Sequence, residues 1–107
     1  MGNECKFKLI KKIPFTPEIK FWFEYMFNIT FEIELYEAKL SDKLVIFTDN
    51  FEYDTRKDKK SYPIHIIVKN KMLIKFEILT SGSSFQESLK KGIYLLKLPI
   101  KEKYIDY

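Results

Sequence analysis

The sequence predicts an α+β fold: an antiparallel sheet of five or six strands with two helices packed on one face. Three observations carry that expectation. Ile29, Phe31, Ile33 and Leu35 fall on alternate positions, with Glu32 and Glu34 between them. Successive side chains of a strand point to opposite faces, so this segment has one apolar face and one wet face. A half-wet strand belongs to a largely antiparallel sheet, because parallel sheets are covered on both sides and read as continuous apolar runs. Tyr62–Lys69 and Lys71–Leu79 are two more strand-like runs joined at Asn70, a residue that tolerates a left-handed turn. Thr16-Pro17-Glu18 and the pair Ser84 and Glu87 are both helix starts.

In chain order, Lys6–Ile13 reads as a strand with Phe7, Leu9 and Ile13 inward, stopped by Pro14. Lysines on its outer side discourage edge-to-edge pairing. The first helix spans Pro17–Asn28: Thr16 caps it, Pro17 fits the first turn, and Glu18 suits the positive helix end. Ile19, Trp22, Phe23 and Met26 make its apolar stripe. Phe21 and Tyr25 miss that stripe, so either a loop or the terminal tail covers them or they form a contact patch. After the central strand come a turn at 38–42 and a strand at 43–47. Asp49–Ser61 shows no periodicity and reads as a protruding charged hairpin connection, acidic and aromatic first, basic afterwards. Across the following hairpin, Tyr62, Ile64, Ile66 and Val68 face Ile74, Phe76 and Ile78, while Lys69, Lys75 and Glu77 take the wet face. Lys90-Lys91-Gly92 reads as the end of the second helix, with Ile93–Leu98 a last strand before Pro99. The alternative is one helix through Leu96 that tolerates Gly92. The tail from Lys101 to Tyr107 carries no pattern.

Length bounds the chain at a single domain over residues 1–107. A hydrophobic share of 46% and an aromatic share of 17% suffice for one core without staples. Ala38 is the only alanine and Arg56 the only arginine among abundant Lys, Ile, Phe and Tyr. That is the skew of an AT-rich coding sequence, so the net charge of +4 favours an acidic partner only mildly. Cys5 is the sole cysteine, which excludes an intrachain disulfide and a thiolate metal cluster. No run approaches the roughly 18 to 20 apolar residues of a membrane span, and no secretory pattern opens the chain. Met1-Gly2 with Cys5 resembles an acylation site, but Lys6 stands where a small hydroxyl residue is usual. A reducing, cytoplasmic setting is the expectation.

Candidate chemistry is sparse. His65, the single histidine, sits mid-strand between Ile64 and Ile66 and reads as a partly buried sheet residue. One His and one Cys make a poor zinc set. Asp49, Glu52, Asp54 and Asp58 lack the spacing and glycine of a calcium loop. Ser81-Gly82-Ser83-Ser84 lacks the spaced glycines and lysine of a phosphate loop. Glu32 and Glu34, about 7 Å apart on one face, could hold a metal or serve acid–base work but equally suit any exposed strand. Glu37-Ala38-Lys39 and Asp58-Lys59-Lys60 each echo the acid-x-lysine element of metal-dependent nucleases, as chance allows in so charged a chain. No cofactor, catalytic residue or metal ligand is expected.

The expected function is therefore that of a small non-enzymatic binding protein, a protein–protein interaction module such as an inhibitor or immunity-type protein of viral or bacterial origin. Its contact residues are Phe51, Tyr53, Arg56, Lys57, Lys59 and Lys60 of the charged connection, with Phe21 and Tyr25 of the helix. The alternative is a nucleic-acid-binding domain using the basic loop Arg56–Lys60, though Asp54 and Asp58 would repel phosphates. A metal-dependent nuclease comes third. Phe21 and Tyr25 could instead join two copies in a homodimer.

Overall fold

The computed structural model of the chain describes residues 5–31, 50–55, 63–79 and 83–103. These residues form an antiparallel sheet of six strands and two helices, the α+β class that the patterning predicts. In chain order the elements are β1 (Cys5–Leu9), β2 (Ile13–Pro14), α1 (Pro17–Phe27), β3 (Phe51–Asp54), β4 (Ile64–Lys69), β5 (Met72–Leu79), α2 (Ser83–Leu95) and β6 (Ile100–Glu102). The sheet runs β3-β4-β5-β1-β6, and β2 pairs with β5 beyond the end of β1. The expected strand segments 32–37 and 43–47, the turn at 38–42 and the residues Arg56, Lys57, Lys59 and Lys60 lie outside the described residues. So do the candidate acids Glu32, Glu34, Glu37 and Asp58.

The hairpin of β4 and β5 is the centre of the sheet. Asn70 and Lys71 both have positive φ, at 53° and 65°. With Lys69 paired to Met72, this is the mirror-image two-residue turn whose twist matches that of the strands it joins. Ile64, Ile66 and Val68 face Ile78, Phe76 and Leu73, and all six are buried. Leu73 therefore takes the inward place expected for Ile74. The register shifts between Ile67 and Val68, and an extra residue on one strand flips every later side chain to the other face.

α1 follows its sequence signals closely. The Thr16 hydroxyl accepts from Ile19 N–H at 3.3 Å, and Asn28 ends the helix in the left-handed conformation. Ile19, Phe23 and Phe27 are buried, with Trp22 and Met26 packed at the edge of the same core. Leu89 of α2 and the inward rows of the sheet join that cluster, so both helices contribute to it. Phe23 and Phe76, both fully buried, meet with ring centroids 4.9 Å apart.

Three expected segments differ. The strand expected over Lys6–Ile13 is two short ones with a bend at Ile10–Lys12. Ile93–Leu98 is not a strand. α2 continues through Gly92 to Leu95, because Gly92 lies directly against the Trp22 indole, where a side chain has no room. Lys97 then turns left-handed, with φ 56°, while Lys97 N–H donates to the Tyr94 carbonyl and Leu98 N–H to the Ile93 carbonyl. These are the two bonds that commonly close a helix, formed here around lysine rather than glycine. The start of the tail, expected to be patternless from Lys101, belongs to β6 (Ile100–Glu102), which pairs with β1. No helix among the described residues is long and apolar enough to cross a membrane.

Candidate functional site

Phe51–Asp54 is a strand, not part of an aperiodic connection, and among the described residues it lies at one edge of the sheet. Phe51 pairs with Val68 and Tyr53 with Ile66, so both rings take the inward face. Phe51 lies 5.5 Å from Phe15 and 5.4 Å from Phe31, and Tyr53 lies 5.1 Å from Phe31, ring centre to ring centre. These two expected contact residues are half-buried anchors of β3. Phe31 is itself held by its backbone N–H, which donates to Glu24 Oε2 at 2.8 Å.

The other side chains of β3 build a polar cluster on the outer face. Asp54 stands opposite His65, and His65 stands opposite Glu77 on β5. Glu52 precedes Asp54 by two residues and shares its face. His65 Nε2 donates to Glu52 Oε2 at 2.6 Å, the carboxylate being able only to accept. Asp54 Oδ2 lies 4.0 Å from the same nitrogen. On the far side of the ring, Glu77 Oε1 is 3.9 Å from Nδ1 and 3.3 Å from Lys75 Nζ. The side chains of His65 and Glu77 are only 8% and 10% exposed, whereas Glu52 is 59% exposed. Glu77 is thus not on a plainly wet face, as its alternation with apolar neighbours predicts. It belongs, with His65 and Lys6, to the buried polar residues of the sheet.

Three hydrogen bonds fix β3 in place around this cluster. Asn50 Oδ1 accepts from Asn70 N–H at 3.0 Å, tying the start of the strand to the hairpin turn. At the other end Thr55 N–H donates to the Ile64 carbonyl, and Thr55 Oγ1 accepts from Ile64 N–H, both at 2.9 Å.

Phe21 and Tyr25 occupy the outward side of α1, one turn apart, 61% and 83% exposed. Among the described residues, nothing covers either ring. Lys20 Nζ sits 4.9 Å from the centre of the Phe21 ring and also pairs with Glu24 at 3.2 Å. At the β6 edge of the sheet is an open groove of about 460 Å³, floored by Phe7, Ile93, Leu98 and Ile100. A Lys90–Glu102 ion pair of 3.2 Å lies on its rim.

Of the residues expected to act together, Phe21 and Tyr25 share a face of α1 and Phe51 and Tyr53 share the inner face of β3. The cluster of Glu52, Asp54 and His65 was not anticipated as a unit. Its signal is the short alternation Phe51-Glu52-Tyr53-Asp54, which places two acids on the face opposite two rings. The described residues define an α+β domain with a polar, histidine-centred cluster outside its sheet and an aromatic pair outside its first helix. Comparison with protein-family models, with curated proteins and with solved structures finds no match to this chain.

Proposed function

We propose that this chain is a small non-enzymatic protein-binding domain, of the inhibitor or immunity kind, acting in the cytoplasm and docking a protein partner through the outward side of α1. The observation that carries the reading is the exposure of Phe21 and Tyr25 on a helix whose opposite side is built into the core. Large exposed rings are unfavourable in water and are enriched at interface centres, where they bring much contact area for little lost rotamer freedom. α1 is capped at both ends, so the pair is presented on a rigid element. Two rings are less than a specific interface of at least about 1,000 Å² requires. Arg56, Lys57, Lys59 and Lys60 are the proposed remainder, steering an acidic partner surface by charge.

The test is affinity capture from the native host with the wild-type chain, F21A/Y25A and Y94A/L95A, the last pair being exposed residues on α2. A partner held by the wild type and by Y94A/L95A but weakened at least tenfold by F21A/Y25A, with unchanged circular dichroism, is the expected result. Equal retention by both double variants rejects this surface. Sedimentation of the purified chain distinguishes the homodimer: a concentration-dependent dimer abolished by F21A/Y25A makes the partner a second copy.

A further inference from the structure

The outer-face cluster points to something independent of partner docking. We propose that Glu52, Asp54 and His65 form a binding site for a divalent first-row transition ion, with Zn2+ as the closest match. Each residue offers one ligand atom, and these atoms all lie within 4.8 Å of one another. One imidazole nitrogen with two carboxylate oxygens is a mixed set that suits zinc and its neighbours. Calcium and magnesium favour oxygen alone, and soft ions favour sulfur.

The imidazole separates this cluster from an ordinary acidic patch. His65 is almost wholly buried and is fixed by the ladder on both sides, so Nε2 faces the carboxylates because of strand register. Three carboxylates lie within 4.0 Å of the ring, two toward Nε2 and one toward Nδ1. Glu77 Oε1, 3.9 Å from Nδ1, lies on the side from which a carboxylate behind a metal-bound histidine commonly holds the ring, and a shift of under about 1 Å would bring it into hydrogen-bond range. Glu77 is thus a positioning residue, not a ligand. Glu52 is the exposed member, which gives the ion a path from solvent and leaves water room to complete the coordination.

On loading, the ion takes the place of the proton between Nε2 and Glu52, and the neutral ring carries its one proton on Nδ1, any second proton passing to solvent. At metal–ligand distances of about 2.0–2.2 Å, neighbouring ligand atoms sit slightly more than 3 Å apart. Glu52 then moves outward by a fraction of an ångström and Asp54 inward by a similar amount. Because the ion would bridge β3 and β4, binding also stabilises the sheet edge.

The sequence contains one histidine, so a single imidazole answers in solution. Chelator-treated full chain is titrated with Zn2+ at neutral pH, with calorimetry for affinity and long-range proton–nitrogen NMR for the ring. The expected result is one ion per chain, displacement of the Nε2 resonance with the ring proton on Nδ1 in the loaded form, and a higher melting temperature. E52Q weakens binding at least tenfold, and E77Q about tenfold with the imidazole still responding. Should H65Q fail to fold, E52Q decides the matter, since Glu52 lies exposed at the rim. An imidazole unmoved at millimolar Zn2+, or E52Q binding as tightly as wild type, overturns the site and leaves a metal-free ion-pair network.

Discussion

Gly92 is a helix-interior glycine with a steric reason to be there. A Cβ built on it would fall on the Trp22 indole, 2.7 Å from Cε2 and 2.9 Å from Cζ2, with Nε1 nearer still. Two effects of G92A oppose each other. Alanine favours a helix over glycine by about 1 kcal/mol, whereas overpacking a filled site costs about 1–3 kcal/mol. The indole is a rigid neighbour wedged between Phe23 and Phe27, 4.9 Å and 6.3 Å away centre to centre, so the clash wins. G92A is expected to lower stability by up to about 2 kcal/mol in urea titration. Trp22 Nε1 is buried and has no hydrogen-bond partner among the described residues. W22F therefore breaks no bond, and in the G92A background it removes the clash. The double variant should be more stable than the sum of the two single losses predicts.

At the scale of elements, β3 depends on its ends. It has four residues and, among the described residues, a single ladder to β4, too little to hold so short a strand firmly by pairing alone. The inward rings of Phe51 and Tyr53 and the clasp at Thr55 add what the ladder lacks. T55V keeps the shape but removes the acceptor for Ile64 N–H, leaving a buried donor unpaired. It should destabilise the chain by about 1–3 kcal/mol and speed hydrogen exchange at Ile64. It should also loosen the strand that carries Glu52 and Asp54. β3 was only half legible in the sequence. Phe51 and Tyr53 do alternate with Glu52 and Asp54, but four residues of alternation beside a charge run look like the start of a loop.

For the whole molecule, the core converges on β5. This strand pairs with β4 on one side and with β1 and β2 on the other, and Leu73, Phe76 and Ile78 are fully buried. Phe76 packs against Phe23 and Phe27, at 4.9 Å and 6.0 Å, so one ring joins the sheet to α1. F76A empties that junction and is expected to cost about 3–5 kcal/mol. Such a loss is a large share of the stability of a small domain, and the melting transition should fall steeply or vanish.

Period, capping and turn chemistry are local properties, and the sequence alone determined what depends on them. These are the α+β class, the extent of α1 between Thr16 and Asn28, the hairpin at Asn70, and the inward rows of Ile64, Ile66, Val68, Phe76 and Ile78. Only the tertiary structure decided the exchange of Ile74 for Leu73, the passage of α2 through Gly92, the pairing of β6, and the meeting of Glu52 with His65 from 13 positions away. Each of those is set by a neighbour remote along the chain: a bulge in a ladder, an indole on a facing helix, a strand edge seeking hydrogen bonds, an imidazole across a strand pair. A local pattern holds no information about which remote group will arrive there.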